Sequence, residues 1–268
     1  QLGAHLGTGA AGAVYGATDP QGHKVAIKVL PLPEGESAAK IFQREVKIGQ
    51  TIDHPSIVKT LHTFPLGPAQ FVIMELVEGS TLKTVLNGEP LLVELSAEGQ
   101  LLRKVRINGV QDMEGLTYVA GSRFVIAEER TQRLIEIEIA DDATELDVTG
   151  APSLTIGLDL NGNKGFEGLS WDQRQQRLLV VKERDPLRVL AVTGFVSAPP
   201  GAPIAIRIEE LKSPDSPWLF MRDLSSLSLH DDTGHLLLLS DESNMLVEYD
   251  EDSHPRSLLG LWRGMHGL

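Results

Sequence analysis

The sequence contains no cysteine. That excludes disulfides, thiolate zinc sites and cysteine nucleophiles, and it suits a reducing compartment, with the cytoplasm favoured for the first part of the chain. No run of about 18 apolar residues occurs, so no helical membrane span is expected. No basic-then-apolar segment follows Gln1, so no signal peptide is read, and a chain opening on Gln reads as a fragment. The histidines form no His-x-x-x-His or other ligand pair, and there is no Gly-x-Ser-x-Gly elbow. What is there is globular in composition: 41% hydrophobic and 23% charged residues over 268 positions, enough for one large domain or two ordinary ones.

Charge is spread unevenly. The net charge is −13, yet residues 1–87 hold seven Lys/Arg and seven Asp/Glu, so all the excess acid lies in the remainder. Such a surface repels nucleic acid and anionic lipid. It suits a cation or a basic partner, and it serves solubility in either case.

The first part opens on Leu6-Gly7-Thr8-Gly9-Ala10-Ala11-Gly12-Ala13-Val14, a G-x-G-x-x-G-x-V pattern. A dinucleotide-binding glycine loop would open a helix. Here Val14-Tyr15-Gly16-Ala17 continues as a strand, Asp19-Pro20-Gln21-Gly22 is a turn, and Lys24–Leu30 is a second strand. The result is a β-hairpin whose glycines let backbone N–H groups approach a triphosphate. Alternation puts Ala26 and Lys28 on one face, which suits a flat base beside phosphates. A helix is expected over 37–50, with an apolar stripe through Ala38, Ile41/Phe42, Glu45, Ile48/Gly49 and Ile52. A carboxylate inside that stripe needs a charged partner, and Lys28 is the natural one; an ordinary surface ion pair is the plainer alternative.

The order of the glycine loop, Val25-Ala26-Ile27-Lys28, Glu45, His54-Pro55-Ser56-Ile57-Val58 and Phe71-Val72-Ile73-Met74-Glu75-Leu76-Val77-Glu78-Gly79 resembles the small lobe of a bacterial Hanks-type serine/threonine protein kinase. The resemblance implies a five-stranded antiparallel sheet plus helix C over about 1–87. It also implies ATP as ligand. Leu6, Gly7, Gly9, Gly12, Val14 and Ala26 would surround the nucleotide. Lys28 would hold its phosphates and pair with Glu45. Met74 would be the gatekeeper, and the backbone of Glu75 and Val77 would meet adenine.

The pattern then stops. No His-Arg-Asp catalytic loop, Asp-Phe-Gly or Ala-Pro-Glu follows Gly79; the nearest imitation is Met221-Arg222-Asp223-Leu224-Ser225, which lacks the His and has Ser228 in place of the Asn. Nothing is left to position magnesium or the acceptor hydroxyl, so no catalytic residue is assigned and phosphoryl transfer is not expected. ATP affinity is expected to be poor, because only one of two lobes is present.

From about Gly88 the texture changes to short strands with Gly/Asp/Asn turns, and a repeat emerges. Asp112-Met113-Glu114-Gly115-Leu116, Gly165-Phe166-Glu167-Gly168-Leu169 and Asp223-Leu224-Ser225-Ser226-Leu227 each lead into an apolar strand ending in Glu128-Glu129-Arg130, Lys182-Glu183-Arg184 or Asp241-Glu242-Ser243. Glu114 and Glu167 stand 53 residues apart, Glu167 and Ser225 58. Third strands are expected at 134–139, 188–192 and 245–249. Four short strands in about 50 residues is the scale of a propeller blade.

The wording of these repeats resembles the SdiA-regulated family of bacterial β-propellers over roughly 91–268. The resemblance implies about three and a half blades, with repeats near 112–164, 165–222 and 223–268. Residues 91–103 would be the outer strands of a preceding blade, and 258–267 the run into a following one. The expected fold class is therefore mainly β: a kinase small lobe followed by an incomplete propeller. The family implies an association with calcium and a poorly known role, with a protein partner as the other binding possibility. Glu114, Glu167, Glu129, Glu183 and Glu242 are the residues that could converge on a cation, and solvated loop acids are the alternative.

Asp159-Leu160-Asn161-Gly162-Asn163-Lys164 begins like an EF-hand loop, but its sixth position is Lys164 and its twelfth is Ser170, so a plain turn is expected. Between the two parts, Leu82–Asn87 reads as the start of a helix broken by Gly88-Glu89-Pro90, with no linker. That abrupt joint reads as recombination or fusion, and in one reading the kinase piece is a non-functional junction product.

Overall fold

The computed structural model describes residues 2–9, 12–31, 47, 50–51, 58–78, 89–160, 162–196, 205–212, 216 and 218–261. The chain is mainly β: 20 strands are described, and helical backbone is described only at Lys47, Gln50 and Thr51. The helix expected over 37–50, including Glu45, otherwise lies outside the described residues, as does the joint at 79–88. Two compact units form, one around the N-terminal sheet and one around residues 103–261.

The first unit is a five-stranded antiparallel sheet in the order β1-β2-β3-β5-β4. Its strands are β1 (Leu2–Gly9), β2 (Gly12–Thr18), β3 (Lys24–Pro31), β4 (Thr60–Leu66) and β5 (Ala69–Glu75). The β2–β3 turn is held by Asp19, whose Oδ1 accepts from the N–H groups of Gln21 (2.9 Å) and His23 (2.8 Å). Gly12 has φ +144, and a Cβ there would overlap the Val29 carbonyl, so only glycine fits. Val25, Ala26, Leu30 and Val72 are buried in this sheet.

β6 (Leu91–Leu95) and β7 (Leu101–Asn108) come next; residues 91–93 and 103–108 fall in the second unit and 94–102 in the first. Three four-stranded antiparallel sheets follow, in chain order. The first holds β8 (Met113–Ala120), β9 (Arg123–Glu128), β10 (Arg133–Glu138) and β12 (Ser153–Thr155). The second holds β13 (Phe166–Asp172), β14 (Arg177–Lys182), β15 (Arg188–Thr193) and β16 (Arg207–Lys212). The third holds β17 (Ser226–Leu229), β18 (Leu236–Ser240), β19 (Met245–Tyr249) and β20 (Pro255–Gly260). One element departs from the expected repeat. β11 (Glu145–Asp147) leaves its own repeat and pairs in parallel with β7, giving a three-stranded sheet β11-β7-β6.

The central strands of the first two four-stranded sheets are apolar on both faces because each of these sheets is packed on two sides. Val125, Ala127 and Leu134 of the first sheet bury against Phe166, Leu169 and Leu178 of the second. Val181, Val189 and Ala191 of the second bury against Leu227, Leu238 and Val247 of the third. Val105 and Ile107 of β7 bury against Ile126, Ile135 and Ile137. The seams use a shared device. A Cβ on Gly115 would stand 3.0 Å from Leu169 Cγ, and one on Gly168 would stand 2.7 Å from the Leu227 nitrogen. Glycine lets the leucine side of the next first strand approach closely.

Candidate functional site

In the N-terminal sheet, register decides which predicted residues share a face. Val14 pairs with Lys28, Ala26 with Met74 and Lys28 with Val72. Cross-strand partners project to the same side, so Val14, Ala26, Lys28 and Met74 form one surface. Ala26 is buried, Lys28 half-buried, and burial lowers the Lys28 pKa. Leu6 and Val77 are exposed, and Gly7 has open space around it. Glu75 closes β5 onto β4: its Oε1 accepts from Lys59 N–H at 2.9 Å, and its own N–H donates to the Lys59 carbonyl at 3.1 Å. Glu78 pairs with Lys24 across the sheet at 2.6 Å, both exposed. Gly9 ends β1 and Gly12 begins β2. The predicted partner of Lys28, Glu45, is outside the described residues.

In the second unit, the carboxylates separate into those that converge and those that do not. Among the described residues, Glu129, Glu167 and Glu183 bring carboxylate oxygens within 4.8 Å of one another. Glu129 follows β9, Glu167 lies on β13 and Glu183 follows β14, so the group spans the seam between the first two four-stranded sheets. Glu129 and Glu183 are buried. Gly165 permits the approach: a Cβ there would overlap the Glu129 carbonyl, and its N–H donates to Glu129 Oε1 at 3.4 Å.

Three carboxylates this close cannot all ionise without a positive charge nearby. Burial pushes Glu167 up to about 8, reinforced by Glu114, Glu129, Glu183 and Asp223. Burial also raises Glu183, against the opposing effect of Arg184, and raises Glu114, helped by Glu129 and Asp112. Glu183 is 8% exposed. Its Oε1 lies 2.9 Å from Arg184 Nη2, while its Oε2 is buried without a hydrogen-bond partner. An orphaned carboxylate oxygen beside two further carboxylates, on a cradle that only glycine allows, fits a hard divalent cation with oxygen ligands.

The other two predicted residues are not among the three. Glu114, on β8, lies outside the close group, yet its charge is the first of those that raise Glu167. Glu242 lies outside the close group and makes an ion pair instead. Gly115 pairs with Ala127, Gly168 with Val181 and Ser226 with Leu239. Counting on from these pairs, Asp241 stands at the position of Glu129 and Glu183. Glu242 stands where the other repeats carry Arg130 and Arg184. It is accordingly an ion-pair partner, bonded to Arg184 Nη1. Asp223, in the sequence a fragment of a kinase-like Arg-Asp, holds the third sheet's entry turn together. It accepts from Ser225 Oγ (2.9 Å), Ser240 Oγ and the Glu242 N–H (3.1 Å). Gly165 and Arg184 carry roles that the repeat wording alone did not single out. The available signal was Gly165 standing where the other repeats have Asp112 and Asp223. The EF-hand-like segment is likewise structural, since Asp159 Oδ2 accepts from Arg188 Nη2 at 2.9 Å.

The SdiA-regulated family model matches residues 77–268. The chain belongs to the SdiA-regulated family. The protein kinase domain model matches residues 1–118, so the two matches overlap over 77–118. Curated relatives match on the kinase side. The chain is 37% identical over 89 residues to "Serine/threonine-protein kinase pkn2" of Myxococcus xanthus, covering 32% of this chain and 11% of that protein. It is 35% identical over 96 residues to "Serine/threonine-protein kinase PknB" of Mycobacterium tuberculosis, covering 33% and 15%. It is 37% identical over 84 residues to "Serine/threonine-protein kinase 33" of Mus musculus, covering 31% and 17%. The chain thus spans under a fifth of the length of each of these kinases. Among the described residues, no helix is long and apolar enough to cross a membrane.

Proposed function

We propose that the SdiA-regulated part, residues 88–268, is an incomplete β-propeller of about three and a half blades that holds a divalent cation. Calcium is the cation its donors suit, since all three are carboxylates and the site can add backbone or solvent oxygens. One observation carries this reading: Glu129, Glu167 and Glu183 converge with the Glu183 Oε2 unpaired and buried. Calorimetric titration of the purified chain with calcium tests it. Saturable binding that Glu167→Gln weakens at least tenfold is expected; no heat beyond dilution refutes it.

A second reading concerns residues 1–87, taken as a kinase small lobe. The shared face of Val14, Ala26, Lys28 and Met74 supports a weak grip on ATP. The sequence supplies no catalytic-loop or Asp-Phe-Gly acids, so the lobe binds without transferring the γ-phosphate. A nucleotide-dependent rise in melting temperature that Lys28→Ala removes is the expected result. Phosphorylation of a protein substrate by this chain would overturn it.

A further inference from the structure

Two seams of the second unit repeat one arrangement. On the first four-stranded sheet, register aligns Gly115, Ala127, Leu134 and Leu154 in a row across all four strands. On the second, it aligns Gly168, Val181 and Val189. Each row is covered by the first strand of the next repeat, led by Leu169 at one seam and Leu227 at the other. A hydroxyl on the same face closes each seam. Thr117 Oγ1 accepts the Trp171 N–H at 2.9 Å, and Ser170 Oγ accepts the Leu229 N–H at 3.1 Å. In both, the donor stands two residues after the seated leucine.

The third sheet carries the same row on its far side. Ser226, Leu239, Leu246 and Leu259 are aligned across its four strands. None of them belongs to a buried cluster of the described residues: Leu239 and Leu246 are half-buried and Leu259 is 52% exposed. Ser228 stands at the position of Thr117 and Ser170. It is exposed, and among the described residues its hydroxyl makes no hydrogen bond. At the rim, the Glu248 carboxylate is already engaged, by Ser257 Oγ at 2.6 Å and His235 Nδ1 at 2.7 Å.

We propose that this face of the third sheet binds an extended strand of a partner polypeptide built like the first strand of the repeat, with a leucine on Leu239 and Leu246 and the backbone N–H two residues on donating to Ser228 Oγ. Continuity with the two seams decides the occupant: the same row and the same hydroxyl take such a strand twice within this chain. The apolar row supplies affinity by burial. The hydroxyl fixes register, because a shift by one residue turns the leucine to the other side. Ser226 sets the strength. Its counterparts are glycines, where a Cβ would stand 3.0 Å from Leu169 Cγ or 2.7 Å from the Leu227 nitrogen. A serine side chain holds the incoming strand further off, so contact is looser than at the two seams within the chain.

The test uses a fluorescein-labelled peptide copying residues 165–173, the strand seated on the first sheet, titrated with the full chain and read by fluorescence polarisation. Saturable binding is expected. Leu246→Glu should weaken it about tenfold or more, by placing a charge in the apolar row. Ser228→Ala should weaken it about threefold, through the lost hydrogen bond. Ser226→Gly should tighten it about threefold, by letting the strand approach. Absence of saturable binding, or binding unchanged by Leu246→Glu, overturns the inference. Should Leu246→Glu not fold, Leu259→Glu at the exposed end of the row carries the same expectation and the same refutation. Self-association of the chain alone, seen by sedimentation and abolished by Leu246→Glu, would make a second copy the occupant and overturn the choice of partner.

Discussion

Leu116 and Leu169 occupy the same position in successive repeats, yet Leu116 is 45% exposed and Leu169 only 5%. Leu169 is covered by the preceding first strand, where Gly115 lets it approach. The sheet preceding Leu116 is β11-β7-β6, which among the described residues supplies no equivalent first strand. Truncating the two should therefore have unequal cost. Leu169→Ala is expected to lose about 2–5 kcal/mol of stability and Leu116→Ala about 0.5 kcal/mol or less, measured by denaturant unfolding. Equal losses would refute the packing described for this seam.

The carboxylate group predicts an unusual pH dependence. Glu167 is raised from 4.5 to about 8, so between those values the folded chain holds a proton that the unfolded chain has released. Stability without added cation should thus be greatest at the acid end of that window and decline as pH rises through about 8. Calcium should restore it at the alkaline end, and Glu167→Gln should flatten the profile. Calorimetric melting between those limits, with and without calcium, checks all three.

Lys212 predicts a second, opposite window. It is buried, donates to the Ser253 carbonyl at 3.0 Å, and lies 4.1 Å from the centre of the Tyr249 ring. Burial lowers its pKa from 10.5 to about 8, against the raising effect of Asp250. Between these values the unfolded chain binds the extra proton, so this group adds stability as pH rises through the window. Lys212→Met should abolish that alkaline gain, read as the difference in melting temperature between the variant and the parent at each pH.

Gly165 predicts a backbone effect. A methyl group there meets the Glu129 carbonyl, which belongs to a packed seam and cannot swing aside. Gly165→Ala should cost about 1–3 kcal/mol and weaken calcium binding together with it. Full stability in this variant would contradict the close approach on which the carboxylate group depends.

Much of the second unit was legible because its strands announce themselves twice, by apolar runs and by recurrence. The first strands at Met113–Ala120, Phe166–Asp172 and Ser226–Leu229 follow the repeat wording directly. The alignment of acids did not. Asp241 and Glu242 are adjacent and chemically alike, so the repeat wording cannot decide which matches Glu183. Only the pairing of Ser226 with Leu239 does so. β11 escaped for a different reason: three residues are too short to show alternation, and its partner lies in another repeat. In the N-terminal sheet, alternation already grouped Ala26 with Lys28. Adding Val14 and Met74 to their face required the ladder, since register between strands is set by turns and packing rather than by either strand alone.

The glycine-to-leucine fit at Gly115 and Gly168 has an evolutionary consequence. Because two successive seams each close on a glycine, against Leu169 Cγ at one and the Leu227 backbone nitrogen at the other, while the third repeat carries Ser226 there, a gene encoding such a chain could duplicate the first or second repeat and still present a glycine at the new joint.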